Sequence, residues 1–409
     1  MVDSPAFQHF GAFPPARRAV ATAFFVNGFA IGSWAPEVPV LADRLGISEK
    51  TIGFLIVMFG LGGILAMPII ARAINRVGSR PPVLVTHFLA AFAFPALILA
   101  PELWVAAAAI FVMGAMLGGM DAAMNANAIS LERQMDRAIM SSSHGFWSIG
   151  GFFGAGLGGP IIAAFGPAAH ALFVTGIIAI AFLYAYRTTL DDREVRPASE
   201  GASASGEERL AFGQLLREHR SGLLRAAAIG LFALVAMLPE GGTIDWSAVY
   251  LRSELGADIA TSGFAFAAFS AMMATFRFLG DGIRDQLGAV TTVRLFALVA
   301  ASGLALAGLA PNLPLALAGF ALTGIGLANI VPIAFSAAGN VRGLPTGVGI
   351  SIATGIGYSG GLMAPSVIGF LAEHIGLATV YLGMSALLAI ILALSGMMAG
   401  ADRELQPAN

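Results

Sequence analysis

Short identities recur along this chain at a constant separation. Leu45-Gly46 returns as Leu255-Gly256, which is 210 positions later, and Leu99-Ala100-Pro101 returns as Leu309-Ala310-Pro311 at the same distance. Solenoid proteins repeat every 20 to 50 residues, so a single long period is typical of a duplicated bundle instead. The chain is therefore predicted to consist of two halves of one kind.

The composition is that of a membrane protein. Hydrophobic residues make up 57% of the chain and charged residues 11%, and the mean hydropathy is +0.82. A soluble protein of this size could not bury so much apolar surface and still present a polar coat to water. The net charge of -2 and the lack of basic runs interleaved with aromatic residues give no indication of nucleic-acid binding. The absence of cysteine excludes disulfides, thiolate metal sites and cysteine nucleophiles.

Twelve apolar stretches are long enough to cross a bilayer. The longest connection between them, from Arg187 to Gly222, is rich in Ala, Ser, Glu and Arg, and is predicted to be a linker with one short amphipathic piece, Phe212–His219. The predicted fold is an all-α membrane protein with two pseudo-symmetric six-helix halves, residues 1–187 and 223–409, joined by a cytoplasmic linker, 188–222. The twelve stretches lie near residues 18–41, 51–73, 82–100, 103–130, 143–165, 168–187, 223–249, 260–280, 291–310, 313–338, 346–371 and 377–399.

The basic residues predict the orientation. If the N-terminus is cytoplasmic, eighteen of the 22 Lys and Arg fall in cytoplasmic segments, as the positive-inside rule requires. Residues 1–18 lack a cleavable signal pattern, so the first stretch is predicted to remain as a helix. Both termini are expected in the cytoplasm, and the chain in the inner (plasma) membrane as a multi-pass protein.

Residues 75 to 80, between the second and third stretches, read Asn-Arg-Val-Gly-Ser-Arg, and residues 285 to 288 read Asp-Gln-Leu-Gly. Both resemble the cytoplasmic loop signature of the major facilitator superfamily, G-x-x-x-D-R-x-G-R-R. The first copy has Asn75 in place of the acid that the family uses to latch its inward gate, and the second has Gln286 in place of the arginine. The resemblance implies a gating role for Asn75, Arg76, Arg80, Asp281 and Asp285.

Three local patterns resemble a bacterial branch of that superfamily labelled YbjJ-like, which lies near sugar permeases of the fucose symporter type. They are Asp121-x-x-x-Asn125, Arg137-x-x-Met140-x-x-x-His144-Gly145, and residues 240 to 247, Glu-Gly-x-x-x-Asp-Trp-Ser. The resemblance implies a twelve-helix secondary transporter that moves a small solute by alternating access. It is expected to be monomeric, to need no cofactor and not to be an enzyme.

Ionised side chains near the bilayer centre cost roughly 2.5 to 3.5 kcal/mol each, so those within the stretches need a reason. Asp121 and Asn125 share a helical face in the fourth stretch, and are either a structural polar pair or a proton- and substrate-binding pair. Glu240, in the seventh stretch, is the second candidate for proton coupling and substrate binding. The surrounding run, residues 239 to 242 (Pro-Glu-Gly-Gly), is predicted to break its helix.

Other intramembrane polar residues are weaker candidates. Asn27 is a predicted hydrogen-bond donor to substrate, and Asn329 is predicted to stand opposite Asp121 as a pseudo-symmetric partner. Family analogy adds Tyr358 as a substrate contact. Glu37 is expected at the water boundary, with gating as the alternative.

Two further features allow both a structural and a functional interpretation. Arg277 and Asp281 stand four residues apart and are predicted to form an intrahelical ion pair, with gating as the alternative. The glycines at four-residue spacing, Gly150, Gly154 and Gly158, would either let one half rock against the other or simply pack two helices tightly.

The predicted mechanism is proton-coupled transport through protonation of Asp121 or Glu240. One proton moving down 100 mV releases roughly 2.3 kcal/mol, which supports about fifty-fold accumulation. Few intramembrane cations argue against an anion carrier, so a neutral polar solute such as a sugar, taken up by symport, is the first hypothesis. Export of hydrophobic compounds by proton antiport and a non-transporting membrane sensor are the alternatives. No nucleotide-binding loop and no hydrolase or metalloprotease motif occurs.

Overall fold

The computed structural model describes residues 14–135, 139–193, 219–341, 344 and 346–405, and the described residues form helices without any strand. Most of the predicted linker, with its amphipathic piece Phe212–His219, lies outside the described residues. The helices are α1 (Pro15–Leu45), α2 (Glu49–Val77), α3 (Arg80–Ile98), α4 (Leu103–Met135), α5 (Met140–Thr188), α6 (Arg220–Ser253), α7 (Ile259–Ser262), α8 (Phe264–Leu287), α9 (Ala289–Gly308), α10 (Leu313–Leu327), α11 (Ile330–Gly339), α12 (Thr346–Ile375) and α13 (Leu377–Leu394), followed by a 3₁₀ segment, Ser395–Leu405.

Eleven helical runs among the described residues are long and apolar enough to cross a membrane. One of them, within α5, has 47 residues. At 1.5 Å per residue it would measure about 70 Å, more than twice the hydrocarbon thickness. Gly166 interrupts it with a φ of 83°, so the run provides the predicted fifth and sixth stretches as two arms. The predicted apolar stretches are thus found as helices.

The separation of 210 positions is visible in the backbone. A positive φ is strained for any residue with a Cβ atom, so glycine occupies such positions. Six described glycines have a positive φ, and they form three pairs with that separation: Gly46 with Gly256 (61° and 65°), Gly78 with Gly288 (79° and 75°), and Gly166 with Gly376 (83° and 79°).

Helix contacts recur with the same separation. The Thr175 hydroxyl of α5 donates to the Ala91 carbonyl of α3 at 3.2 Å, and the Ser385 hydroxyl of α13 donates to the Ala301 carbonyl of α9 at 2.7 Å. Each residue of the second contact lies 210 positions after its counterpart in the first. The two helix pairs are therefore packed in the same register.

Glycines bring a second set of helices together. A Cβ atom added to Gly114 of α4 would collide with the Phe59 carbonyl of α2. A Cβ atom added to Gly324 of α10 would collide with the Phe269 carbonyl of α8, again 210 positions later. Close approach of these backbones depends on the missing side chain in both places.

The predicted glycine face of α5 packs tightly on α1. Added Cβ atoms at Gly150 and Gly154 would collide with the carbonyls of Phe25 and Phe29. The structure therefore favours the packing interpretation of this face, because α1 and α5 belong to the same part of the chain. Contacts between α1–α5 and α6–α13 are made by other glycines, such as Gly159 of α5, where a Cβ atom would stand 2.6 Å from the Ala260 carbonyl.

The predicted helix break at residues 239 to 242 is wrong. Helix α6 runs without interruption from Arg220 to Ser253 with Pro239 inside it. A proline removes only one backbone hydrogen bond, whereas a broken helix would leave several unpaired groups in a medium without water. The Thr243 hydroxyl also donates to the Pro239 carbonyl at 2.8 Å, so this side chain adds a hydrogen bond within the continuous helix.

Candidate functional site

Arg277 of α8 connects three helices in the interior of the bundle. One guanidinium nitrogen donates to the Ser148 hydroxyl of α5 at 3.0 Å, and the other donates to the Glu240 carboxylate of α6 at 3.4 Å. The Arg277 and Glu240 side chains are 15% and 19% exposed, so the pair is largely withdrawn from water. Each charge lowers the cost of burying the other. The side chain of Asp281, the predicted partner of Arg277, lies outside the described part of the chain.

Tyr358 of α12 faces open space beside this pair. Its side chain is 52% exposed, although it lies in the interior of a long helix. It stands within electrostatic reach of Asp121, Glu240 and Arg277. Helices α4, α6, α8 and α12 therefore converge on one accessible polar region, which we call the central site. The predicted contacts Asp121, Glu240 and Tyr358 are brought together there.

Asp121 and Asn125 face this region from α4. The Asn125 amide donates to the Asp121 backbone carbonyl at 2.8 Å and to its carboxylate at 3.2 Å, within one helical turn. None of the described cations forms an ion pair with Asp121. The carboxylate therefore has acceptor capacity left for a proton or for a hydroxyl group of a solute.

His144 of α5 borders the central site. It stands within electrostatic reach of Arg277, and its ring packs edge-on against Phe24 of α1 at 5.1 Å. Within the described residues, no group of three His, Asp or Glu side chains is placed to hold a metal ion.

Asn27 does not have the free amide that was predicted. Its amide nitrogen donates to the Leu117 carbonyl of α4 at 2.9 Å, and its amide oxygen accepts a hydrogen bond from the Trp147 indole of α5 at 2.9 Å. The side chain is only 3% exposed. In this arrangement Asn27 joins α1, α4 and α5 and offers no group to a solute.

Asn329 is engaged in the same way. Its amide donates to the Phe276 carbonyl at 2.8 Å, and it fills the space beside Gly280. The residues 210 positions earlier are Gly119 and Ile70, which also touch each other. The packing counterpart of Asn329 is therefore Gly119, and the predicted pairing of Asn329 with Asp121 is not what the helices form.

Glu37 lies in the protein interior and not at the water boundary where it was expected. It is 1% exposed, and its carboxylate stands 2.6 Å from Nδ1 of His170 in the second arm of α5, which is fully buried. Sequence reasoning missed His170 because the two residues are 133 positions apart. A histidine in an otherwise apolar stretch was the available signal.

The loop between α2 and α3 is held by acids that sequence reasoning missed. The Asp192 carboxylate, just after α5, accepts hydrogen bonds from the Ser79 backbone N–H and hydroxyl, both at 2.8 Å, and from the Ser130 hydroxyl at 2.9 Å. Its neighbour Asp191 forms an ion pair with Arg80 at 3.7 Å. The acid that is absent at Asn75 is thus compensated by carboxylates from the end of α5.

The loop between α8 and α9 is held in the same way. The Asp402 carboxylate accepts a hydrogen bond from the Ala289 backbone N–H at 2.9 Å, and these residues lie 210 positions after Asp192 and Ser79. Arg284 lies 3.7 Å from Asp402. The other predicted gate residues, Asn75, Arg76 and Asp285, are exposed.

Comparisons with known proteins agree with this architecture. The family profile described as Major Facilitator Superfamily matches residues 20–251. An uncharacterized transporter of Sinorhizobium fredii, y4wD, is 33% identical over 359 residues, which cover 87% of this chain and 91% of that protein.

Two solved structures share the fold. A mutant of the nucleoside transporter NupG superposes with a TM-score of 0.73 at 12% identity, over 93% of this chain and 99% of that one. A D-xylose-proton symporter superposes with a TM-score of 0.70 at 14% identity, over 94% and 98%. At such identities the likeness concerns the arrangement of the helices alone.

Proposed function

The chain belongs to the major facilitator superfamily, and from that premise we propose that it is a secondary active transporter of a small neutral polar solute, such as a sugar or a nucleoside, coupled to protons. The observation that carries this proposal is the central site. One cation, Arg277, is already held by Glu240 and Ser148, while Asp121, Asn125 and the exposed Tyr358 offer hydrogen-bonding groups. Such a set suits hydroxyl groups better than an anion.

The chain is proposed to consist of two six-helix halves that alternate around this site. Three pairs of positive-φ glycines and the repeated helix contacts support the duplication. The excess of basic residues in the loops after α2, α4 and α5 supports a cytoplasmic location for both termini and for the α2–α3 loop. The YbjJ-like branch is the proposed place of the chain within the superfamily.

The state described here is proposed to open toward the cytoplasm. At the end that holds residues 46–48, called the α1–α2 end, a Cβ atom on Gly53 would stand 3.1 Å from the Ser366 Cα atom of α12. Asp43 and Arg252 form an ion pair at 2.7 Å at the same end. Because Tyr358 is nevertheless half exposed, a solute would reach the central site from the opposite, α2–α3 end.

Proton coupling is proposed to act through Asp121 and Glu240. A protonated carboxyl is neutral and inexpensive to keep in the membrane, so protonation would bias the equilibrium between the two access states. A solute that hydrogen-bonds to Asp121 or separates Glu240 from Arg277 would bias the same equilibrium. Two events that favour one state are thermodynamically coupled.

The test is transport in proteoliposomes that contain a pH-sensitive dye, with neutral sugars, nucleosides and then lipophilic cations as solutes. Sugar- or nucleoside-driven proton entry in the wild type, abolished in Asp121→Asn, is the expected result. Proton exit driven by a lipophilic cation would replace symport by export. No flux with any solute, together with a phenotype that Asp121→Asn and Glu240→Gln leave intact, would favour a membrane sensor.

A further inference from the structure

Asp245 of α6 is a carboxylate to which no role has been assigned. It is partly exposed, and it has no hydrogen bond or ion pair with any residue that the structure describes. Gly241 stands one helical turn before it on the same face. A Cβ atom added to Gly241 would meet nothing within 4 Å, so this face of α6 borders open space.

The charged groups around Asp245 are already engaged. Arg277 is bound to Glu240 and Ser148, and Arg252 is bound to Asp43. Other titratable groups lie on the helices packed against α6 in the same part of the bundle. Glu37 is held by His170, Arg44 by the carbonyls of Ile98 and Ala100, and Tyr381 donates to the Gly242 carbonyl. Glu373 and His374 are exposed.

The position of Asp245 is intermediate along α6. It lies eight residues before the end of the helix at Ser253, which is about 12 Å from the α1–α2 end. Glu240 lies five residues, or about 7.5 Å, deeper. At the α1–α2 end itself, Glu49 is within electrostatic reach of Glu254 and Glu373. A positive charge entering there would meet these acids first, then Asp245, and then the central site.

We propose that Asp245 is the residue that takes up the transported proton between the α1–α2 end and the Glu240–Arg277 pair. This proposal rests on the proton coupling proposed above. A hydronium ion transfers its proton to a carboxylate oxygen of Asp245 and leaves as water, so that one O–H bond forms and the side chain loses its charge. When the proton moves on to Glu240 or to water on the other side, the carboxylate is restored. Gly241 leaves room for the water that such a transfer requires.

Proton binding can be measured without a solute. Infrared difference spectra of the purified protein between about pH 5.5 and alkaline pH report the C=O band of carboxyl groups that titrate in this range, in which a solvent-exposed Asp with an ordinary pKa of about 3.9 stays ionised. We expect Asp245→Asn to lose one component of that band, Asp245→Glu to retain it at a shifted position, and Asp43→Asn, an exposed carboxylate at the same end, to leave it unchanged. An Asp245→Asn spectrum identical to that of the wild type would overturn the proposal.

Transport separates this proposal from the one on which it depends. Exchange of solute between two equal pools needs no net proton movement, whereas accumulation does. With a solute that the wild type accumulates, we expect Asp245→Asn to keep exchange and to lose accumulation, from as much as about fifty-fold at 100 mV toward equality. Loss of exchange as well would overturn the assignment and make Asp245 a solute contact. A wild type that moves solute without protons would instead refute proton coupling, whatever the infrared band shows.

Discussion

Arg277 shows how a single residue organises the interior of this protein. Its guanidinium spans from Ser148 on α5 to Glu240 on α6, while the side chain of its predicted partner, Asp281, lies outside the described residues. If access alternates as proposed, a charge that holds two parts of the bundle together must also be able to release one of them. The contact with Glu240, at 3.4 Å, is the longer of the two.

Removing Arg277 alone should therefore lower the free energy of unfolding more than removing Arg277 and Glu240 together. We expect Arg277→Gln to lower the free energy of unfolding by about 1–3 kcal/mol, because Glu240 is left as an unpaired charge. The double variant Arg277→Gln/Glu240→Gln should recover part of that loss. Thermal unfolding in detergent measures both. The exposed pair Asp43–Arg252 is the control, with an expected effect of about 0–1 kcal/mol; equal effects for the two pairs would contradict the prediction.

Asp192 and Asp191 form a matched pair of adjacent acids with different environments. Asp192 is 1% exposed and accepts three hydrogen bonds, whereas the Asp191 side chain is 55% exposed. We expect Asp192→Ala to destabilise the protein by about 1–3 kcal/mol, because the buried donors of Ser79 and the partly buried hydroxyl of Ser130 lose their acceptor. Asp191→Ala should cost at most about 1 kcal/mol. Thermal unfolding of the two variants measures both effects. A lower melting temperature for Asp191→Ala than for Asp192→Ala would refute the role given to Asp192.

At the scale of the helix, identical backbone turns are closed by different side chains. Ser48 and Asp258 are the N-caps of α2 and α7 and lie 210 positions apart. The Asp258 carboxylate accepts hydrogen bonds from the Thr261 hydroxyl at 2.6 Å and backbone N–H at 2.9 Å, whereas the Ser48 hydroxyl lies 3.4 Å from that of Thr51. Only the second cap can titrate.

The two caps should differ in their pH dependence. The hydrogen bonds from Thr261 lower the pKa of the Asp258 carboxyl. A group with a lowered pKa in the folded state stabilises the fold above its unfolded pKa of about 3.9, and that contribution is lost as the pH falls through the folded pKa. In Asp258→Asn, which keeps a good cap, the acid-side fall of the melting temperature should be shallower than in the wild type. Ser48→Ala should keep the wild-type slope, and identical slopes in all three proteins would contradict the prediction.

The ends of the helices are set by backbone geometry, and only some residue types indicate that geometry in the sequence. Gly166 and Gly376 turn the chain with φ values of 83° and 79°, and a glycine at such a point is a usable sequence signal. Pro239 was a misleading signal for a helix end, because α6 continues through it. A helix in a membrane keeps its hydrogen bonds wherever it can, so a proline within it is better evidence for a kink than for an end.

At the scale of the whole molecule, the contact at the α1–α2 end must open if access alternates. The chain has no cysteine, so introduced thiols have no native competitor. Asp43 and Arg252 form an ion pair at 2.7 Å at this end, so cysteines in their places can be joined by a bifunctional thiol reagent. We expect Asp43→Cys/Arg252→Cys, cross-linked by such a reagent with a cleavable disulfide, to lose at least about nine tenths of its transport rate and to regain it on reduction.

The control disulfide links helices that are proposed to move together. Thr175 of α5 and Ala91 of α3 are in hydrogen-bond contact within the first part of the chain. Oxidised Thr175→Cys/Ala91→Cys should therefore transport like its reduced form. If the cross-link between positions 43 and 252 forms and transport continues at the wild-type rate, the α1–α2 end does not need to open.

Much of this molecule could be predicted before its structure was known. Apolar stretches predicted the helices, and the spacing of Leu45-Gly46 and Gly78 from their counterparts predicted a repeat that recurs in the backbone angles. Asp121, Glu240 and Tyr358 do converge on one region. The amides of Asn27 and Asn329 donate to backbone carbonyls of neighbouring helices, and no local sequence pattern reveals such contacts.

The sequence by itself determined the class of protein, the positions of its helices and its internal period, because hydrophobicity, helix length and the demand for glycine at positive φ are local properties of the chain. Only the tertiary structure decided which polar groups are free. Glu37 pairs with His170, Arg277 pairs with Glu240, and Asp245 has no hydrogen bond or ion pair with a described residue. These outcomes depend on how each helix is rotated against its neighbours, and the packing of distant backbones sets that rotation.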